Sequence, residues 1–225
     1  MTSIEKKEII HYGIYVLAIL VSFFAVEVVR LFSPLFKNVY FGYVTPMILD
    51  VMRILLYVAI IVFALKYANK HFKSPNCVPE GGYPLSRIFL LYGITALVVF
   101  IVSASLGFRL KVVVDLGENI GAIYLYNNLA NIIASLVRMG IVTIIIRYST
   151  ELFELLVKKK WANYIPIGGL ISLITIGLFE LLALKDVNAI NIVFLFMHLL
   201  YGEIYLLSYK HFPTTLSILV IIQLL

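Results

Sequence analysis

The residues most able to do chemistry in this chain lie inside segments that are otherwise hydrocarbon. Arg138 falls in the middle of an apolar run, 123–146, and a later apolar run carries His198 and Glu203 at comparable depth. A charge at the centre of a bilayer-spanning helix costs about 3 kcal/mol even on lenient scales. Residues of this kind either carry out a function, such as proton transfer or hydrolysis, or hold helices together.

A stripe of polar residues follows the helix that carries Arg138. Near positions i, i+4, i+8 and i+11 stand Asn127, Asn131, Ser135 and Arg138. Small and amide residues on one stripe indicate a face turned toward other helices. We expect Arg138 to pair with Glu203, and His198 to extend this buried cluster together with Asn131. A pair that fixes helix register is the favoured interpretation, and catalysis or proton transfer is the alternative.

A second group of charges lies near the outer ends of the first two apolar segments. Glu27 and Arg30 are spaced i, i+3, and so are Asp50 and Arg53, so each pair shares a helix face. A short loop joins the two segments, which predicts that the four side chains meet near the outer interface. A charge-balanced clamp is the favoured interpretation, and a proton or ion path is the alternative.

A third group continues the Arg138 helix beyond its apolar part. Arg147 and Glu151 are spaced i, i+4, as are Glu154 and Lys158. This is the pattern of a solvated helix extension.

The composition predicts that these residues are positioned by transmembrane helices. Of 225 residues, 62% are hydrophobic and 13% are charged, which excludes an ordinary soluble domain. Apolar stretches of about 18 residues or more predict six full transmembrane helices, and a shorter apolar segment follows. The six are Ile9–Phe32, Met47–Tyr67, Leu85–Leu106, Ile123–Arg147, Ile165–Leu184 and Ala189–Tyr209, and the seventh is Phe212–Leu225. The predicted fold is an all-α, polytopic membrane bundle that forms one domain, residues 1–225.

The basic residues predict the orientation in the cell membrane. With the N-terminus in the cytoplasm, eleven Lys and Arg residues fall at cytoplasmic ends, and the outside keeps four, Lys37, Arg109, Lys111 and Lys185. The net charge of +6 therefore reflects the topology of the chain in the membrane. A nucleic-acid partner is not expected, because it would need a basic face on a soluble domain and the sequence predicts none. The lipid bilayer is the expected partner.

Familiar site motifs are missing from the sequence. Cys77 is the single cysteine, so no disulfide framework or CxxC site is expected. The chain has no phosphate loop, no GxGxxG, no HExxH and no GxSxG. His198 is the one histidine well inside a predicted span, whereas a b-type haem usually needs two. We expect no metal and no cofactor.

The C-terminal part, residues 119–225, resembles the CAAX prenyl protease and bacteriocin-processing family of intramembrane proteases. The resemblance rests on four runs and their spacing: Thr150-Glu151-Leu152-Phe153-Glu154-Leu155, Lys158-Lys159-Lys160-Trp161, Phe179-Glu180-Leu181-Leu182-Ala183, and Gly202-Glu203-Ile204-Tyr205-Leu206 with Phe212-Pro213 downstream. That family carries an EExxxR motif, then Phe-x-x-x-His, then a final histidine motif, and its glutamates and histidines activate water for peptide cleavage.

This chain departs from the family pattern at most of the catalytic positions. Glu151 and Phe179 remain, and the changed positions are Thr150, Leu155, Ala183, Ile218 and Ile222. A general base needs an oriented partner and a second polar group for the oxyanion. The resemblance therefore implies the family fold without its catalytic residues.

Two functions from different classes follow. One is a non-catalytic membrane protein, either a protease-like scaffold or a subunit of a larger complex with other integral membrane subunits. The other is an active intramembrane hydrolase or a proton- or ion-translocating protein that uses Arg138, His198 and Glu203.

Overall fold

The computed structural model describes residues 3–32, 44–72, 84–105, 122–157, 164–182 and 189–224. Within these ranges the chain is helical and has no strands, which confirms the all-α prediction. The helices are α1 (Ser3–Phe32), α2 (Val44–His71), α3 (Leu85–Ser105), α4 (Ala122–Val157), α5 (Ile167–Ser172), a π-helical segment (Leu173–Gly177), α6 (Leu178–Leu182), α7 (Ala189–Leu207) and α8 (Phe212–Leu224).

Among the described residues, three helices are long and apolar enough to cross a membrane. Their membrane-length parts are Lys6–Val28, Ile48–His71 and Leu129–Val157. Four shorter apolar helical stretches accompany them: Leu85–Ile101, Ile167–Leu182, Leu195–Leu207 and Phe212–Leu224. Helices suit such sequences because every backbone polar group is satisfied within the segment.

Helix α4 forms the centre of the bundle, since it packs against α1, α2, α5 and α8. Large apolar side chains on α1, α2 and α3 face away from it, among them Leu17, Phe63 and Phe89. An apolar exterior of this kind is suited to lipid. We name the two ends of the bundle after the predicted orientation: the outer end carries Glu27 and the inner end carries the N-terminus.

Helices α4, α5 and α7 approach each other closely at three glycines. A Cβ atom on Gly168 would overlap the carbonyl oxygen of Ile146, and one on Gly169 would lie 2.6 Å from the carbonyl oxygen of His198. A Cβ atom on Gly202 would lie 2.7 Å from the Gly169 Cα. These contacts bring backbones together as small residues do in membrane bundles. They also place Gly202 at the same height in the bundle as Ile146.

The predicted fifth span is a helix with an irregular middle. The chain continues from α5 through the π-helical segment Leu173–Gly177 into α6 without leaving the right-handed helical region at the junctions. Such π-helical turns are rare and often lie beside functional groups. Gly177, at the end of this segment, lies against the ring of His198.

The last segment is a separate helix of 13 residues, α8. Tyr209 and Lys210 both have positive φ, 53° and 60°, and this turn ends α7. The seventh segment is therefore a helix of its own and does not continue α7 through Tyr209. It packs against α4, with Leu219 and Ile222 buried.

Candidate functional site

Arg138 pairs with Glu180 of α6, so the predicted Arg138–Glu203 ion pair is wrong. The Arg138 Nη1 atom lies 2.7 Å from Glu180 Oε1. The glycine contacts explain why Arg138 does not pair with Glu203. They place Glu203 level with Ile146, which is about 12 Å below Arg138 along α4. Arg138 and Glu180 stand on antiparallel helices. Helical side chains lean toward the N-terminus of their own helix, so these two lean toward each other.

Glu180 was recognised from the sequence only as part of a motif and not as a charge within a predicted span. It stands in the apolar stretch Ile167–Leu182, where a carboxylate is as costly as Arg138 is in α4. The signal was therefore present in the sequence. The Arg138–Glu203 prediction assumed that α4 and α7 end at the same depth, and the glycine contacts show that they do not.

Glu27 of α1 is buried, with 2% of its surface exposed. Its Oε1 atom accepts a hydrogen bond from the hydroxyl of Tyr57 on α2, and its carboxylate interacts electrostatically with Arg138. The predicted outer cluster thus reaches deeper into the bundle than its sequence position indicated. Arg30, its predicted neighbour, has a side chain outside the described part of the structure.

Arg53 connects the outer cluster to α4. Its Nη2 atom lies 3.6 Å from Asp50 Oδ1 and donates a hydrogen bond of 3.3 Å to Asn131 Oδ1. Asn131 therefore belongs with the outer cluster and does not extend the pair made by Arg138. We call the five charged side chains of this region the outer charged layer; they are Glu27, Asp50, Arg53, Arg138 and Glu180.

His198 lies beside this layer and is bound to a serine. Its Nδ1 atom is 2.8 Å from the Ser172 hydroxyl oxygen, and both residues are buried, at 5% and 0% exposure. The Arg138 guanidinium is close enough to interact electrostatically with the His198 imidazole. A serine hydrogen-bonded to a histidine is the starting arrangement of nucleophilic catalysis, but here a substrate cannot reach the hydroxyl without opening of the helix packing. The arrangement satisfies a buried imidazole.

A fully buried stretch of α4, which we call the apolar layer, lies between the outer charged layer and the inner end. Five side chains of α4 are 0% exposed there: Ile141, Val142, Ile144, Ile145 and Ile146. The intervening Thr143 donates its hydroxyl hydrogen to the carbonyl oxygen of Met139, at 2.7 Å. Its hydroxyl hydrogen is thus engaged within its own helix, and this apolar layer offers no side-chain relay along α4.

Below the apolar layer lies an inner polar cluster of Tyr12, Tyr15, Arg147, Tyr148 and Glu151. Arg147 Nε donates to Glu151 Oε1 at 3.0 Å, and Tyr15 donates its hydroxyl hydrogen to the carbonyl oxygen of Ala64 at 2.8 Å. The rings of Tyr15 and Tyr148 meet edge to face at 4.8 Å between centroids.

The solvated helix extension predicted for this part of α4 is therefore wrong for Arg147 and Glu151. Glu151 is 7% exposed, because α1 covers this end of α4 with its tyrosines. Glu154 is bound by Lys210 from the turn after α7, which fastens that turn to α4. Lys158 lies outside the described residues.

Glu151 and Phe179, the two positions retained from the protease motifs, do not share a site. Glu151 lies in the inner polar cluster, about 20 Å along α4 from Arg138. Phe179 precedes Glu180 at the level of Arg138 and packs its ring against Phe24, 5.1 Å between centroids. Ala183 lies outside the described residues. Among the described residues, no group of three or more His, Cys, Asp or Glu side chains is arranged to hold a metal ion.

Comparison of the chain with protein-family models, with curated proteins and with solved structures finds no match.

Proposed function

We propose that this chain is a non-catalytic, multi-pass protein of the cell membrane that serves as a helical scaffold or as a subunit of a larger membrane complex. It has six full spans and a short seventh segment, and its N-terminus lies in the cytoplasm. Its partners are the lipid bilayer and other integral membrane subunits. It is a degenerate relative of the CAAX protease family that has lost the catalytic residues.

One observation carries the proposal: the polar groups of the outer charged layer bind each other between helices, and on α4 a fully buried, mostly apolar stretch separates this layer from the inner polar cluster. The Arg138–Glu180 pair joins α4 to α6, and Glu27 with Tyr57 joins α1 to α2. A proton path needs polar groups or water from one face of the membrane to the other. The layer around Ile144 is 0% exposed on α4, which favours charges that fasten helices over charges that conduct.

The positions retained from the protease motifs support the same role. A hydrolase brings its base, its oriented partner and its oxyanion donor to one reacting atom. Glu151 and Phe179 stand about 20 Å apart in height, and Glu151 is engaged by Arg147. This separation fits a helix frame used for packing.

The test is purification of the tagged, full-length chain from its native membrane in a mild detergent, followed by measurement of the particle mass by light scattering. A stoichiometric membrane protein that remains bound through size exclusion supports the subunit role. A chain that elutes alone supports the scaffold role only if it is also inactive, so the same sample is assayed in two further ways.

The two activity assays use matched variants. Cleavage of membrane peptides that disappears in Glu151→Gln would contradict the proposal and establish a hydrolase. Proton flux into proteoliposomes that disappears in His198→Ala, but not in Lys66→Ala, would contradict it in favour of translocation. Lys66 is an exposed residue of α2 and serves as the control.

A further inference from the structure

A cavity of about 500 Å³ lies at the inner end of the bundle, between α3 and the end of α7. Its walls include Arg87 and Leu90 from α3, Glu203 and Leu206 from α7, and Lys210 from the following turn. These residues belong neither to the outer charged layer nor to the inner polar cluster. The volume falls in the range of small-molecule sites, about 300–1,000 Å³.

One edge of the cavity is basic, and its cations are held in place. The guanidinium carbon of Arg87 lies 4.3 Å from the centroid of the Tyr209 ring. The amide of Lys210 donates to the carbonyl oxygen of Tyr205 at 2.9 Å, which fixes the turn that presents both Tyr209 and Lys210. The Lys210 ammonium is bound by Glu154, so that pair is neutral. Arg87 has no carboxylate partner within the described part of the chain, so it contributes the uncompensated positive charge.

Glu203 supplies a negative charge on another part of the wall. It is half-buried, and the described part of the structure gives it no ion pair or hydrogen bond through its carboxylate. Its companions on this wall are Leu206 and Leu207. A carboxylate in such apolar surroundings is costly until a cation reaches it.

We propose that this cavity binds the headgroup of an amino-phospholipid, with the phosphate beside Arg87 and the primary ammonium on Glu203. The wall carries one uncompensated charge of each sign, which matches a zwitterion. An anionic headgroup leaves Glu203 without a partner. The leucines beside the charges provide a surface for the first methylenes of the lipid chains. Basic pockets between helices on the cytoplasmic side bind the phosphates of anionic headgroups, and here the carboxylate of Glu203 adds a partner for an ammonium.

The same chemistry is present in a bilayer lipid, phosphatidylethanolamine, and in soluble phosphoethanolamine esters. The inference does not depend on the scaffold role, because a lipid site of this kind suits an enzyme or a transporter equally. It depends on the charges of Arg87 and Glu203 and on the cavity between them.

The first experiment uses the unmodified full-length chain, delipidated in a non-ionic detergent. Native mass spectrometry measures binding of phosphatidylethanolamine, its mono-, di- and trimethylated forms, and phosphatidylglycerol. Each methyl group removes an ammonium N–H donor, so affinity should fall along the series, by about tenfold from the primary to the fully methylated ammonium. Equal binding along the series, or a preference for phosphatidylglycerol, would overturn the proposal.

Variants then assign the two halves of the headgroup. Glu203→Gln should bind the primary and the fully methylated lipid equally, whereas Arg87→Gln should weaken both about tenfold. Glu8→Gln and Lys66→Gln remove one negative and one positive charge at exposed positions and should behave as the unmodified chain. A Glu203→Gln protein that folds and still prefers the primary ammonium would refute the assignment.

A competition experiment identifies the source of the headgroup. Displacement of the lipid by soluble glycerophosphoethanolamine at a similar concentration assigns the site to a soluble ester. Retention of the lipid under excess glycerophosphoethanolamine assigns it to the bilayer. Both results support headgroup recognition, provided that the methylation series shows the expected decline.

Discussion

At the scale of single residues, the buried charges of this chain are best understood through the cost of leaving one of them alone. A buried ion pair adds little net stability, because desolvation of both groups offsets their attraction, but removal of one partner is costly. Arg138 and Glu180 form a partly buried pair, with 17% and 31% of their side chains exposed, inside helical stretches that are otherwise apolar. Each residue therefore stabilises the fold mainly by neutralising the charge of the other.

This coupling predicts the outcome of a double-mutant cycle. Arg138→Ala and Glu180→Ala should each lower the free energy of unfolding by about 3 kcal/mol, because each leaves an unpaired charge in the bundle. The double mutant should lose about 1–3 kcal/mol less than the sum of the two. Denaturant titration in mixed micelles measures all three, and the pair Arg138→Ala with Glu203→Ala serves as an additive control. If the losses of Arg138→Ala and Glu180→Ala simply add in the double mutant, the ion pair makes no contribution to the free energy of unfolding.

The carboxylate of Glu27 gives a second prediction at this scale. Tyr57→Phe removes a hydroxyl that donates to a carboxylate 2% exposed, which should cost about 1.5–3 kcal/mol of unfolding free energy. Tyr92→Phe makes the same change at a side chain 69% exposed and should stay within about 0.5 kcal/mol of the parent. Equal losses from both substitutions would show that the hydroxyl of Tyr57 is not engaged in the folded protein.

At this scale the sequence predicted which residues are unusual but not all of their partners. Arg138, Glu27 and His198 stand out because they are polar in apolar runs. Partnership depends on the heights of neighbouring helices, and those heights follow from glycine contacts far away in the sequence. The pairing of Arg138 was therefore beyond pattern reasoning, whereas the contact of Glu27 with α2 was within reach.

At the scale of helices, the contact of α5 with α7 sets the register of the C-terminal half. Gly169 and Gly202 face each other with almost no space between their backbones. Close approach of this kind strengthens van der Waals packing and excludes any larger side chain. It also places Glu203 away from Arg138 and in the wall of the inner cavity.

The substitution Gly202→Ala should therefore disrupt the bundle. Its Cβ atom would lie 2.7 Å from the Cα of Gly169, so the two helices must move apart. We expect a loss of about 1–3 kcal/mol in unfolding free energy, as for other overpacked sites. Gly93→Ala on α3 is the matched control, because its Cβ atom would meet nothing within 4 Å. Helix propensity alone should make that control neutral or up to about 1 kcal/mol more stable. Stability unchanged in Gly202→Ala would contradict the close packing.

The helices themselves were largely predictable, and their irregularities were not. Long runs of Leu, Ile and Val predicted the outer ends of α1, α2 and α4 to within three residues, whereas at the inner ends the helices run four to ten residues beyond the predicted spans. The π-helical segment Leu173–Gly177 has no comparable signal, because it lies in a stretch that is apolar on all sides, where an extra residue in a turn interrupts no pattern. The burial of Glu151 was also missed, since the i, i+4 pattern is the same whether or not another helix covers it.

At the scale of the whole molecule, the bundle has an apolar exterior and two polar regions, one toward each end. The outer charged layer ties α1, α2, α4 and α6 together, and the inner polar cluster ties α1 to α4 again. Between them the α4 side chains around Ile144 are 0% exposed. A bundle fastened at both ends and packed in the middle suits a protein whose role is to hold a shape in the membrane.

The orientation of the whole molecule in the membrane can be tested directly, because the chain has a single cysteine to label. Cys77 is its single cysteine, in the stretch between α2 and α3 that the positive-inside bias assigns to the cytoplasm. In intact cells a membrane-impermeant maleimide should leave Cys77 unlabelled, and permeabilisation should make it reactive. Lys111→Cys in a Cys77→Ser background moves the thiol to a predicted outer loop, where labelling should need no permeabilisation. The reverse pattern would invert the bundle and place the cavity beside Glu203 in the outer leaflet. If both positions react in intact cells, the two stretches lie on the same side, and α3 does not cross the membrane.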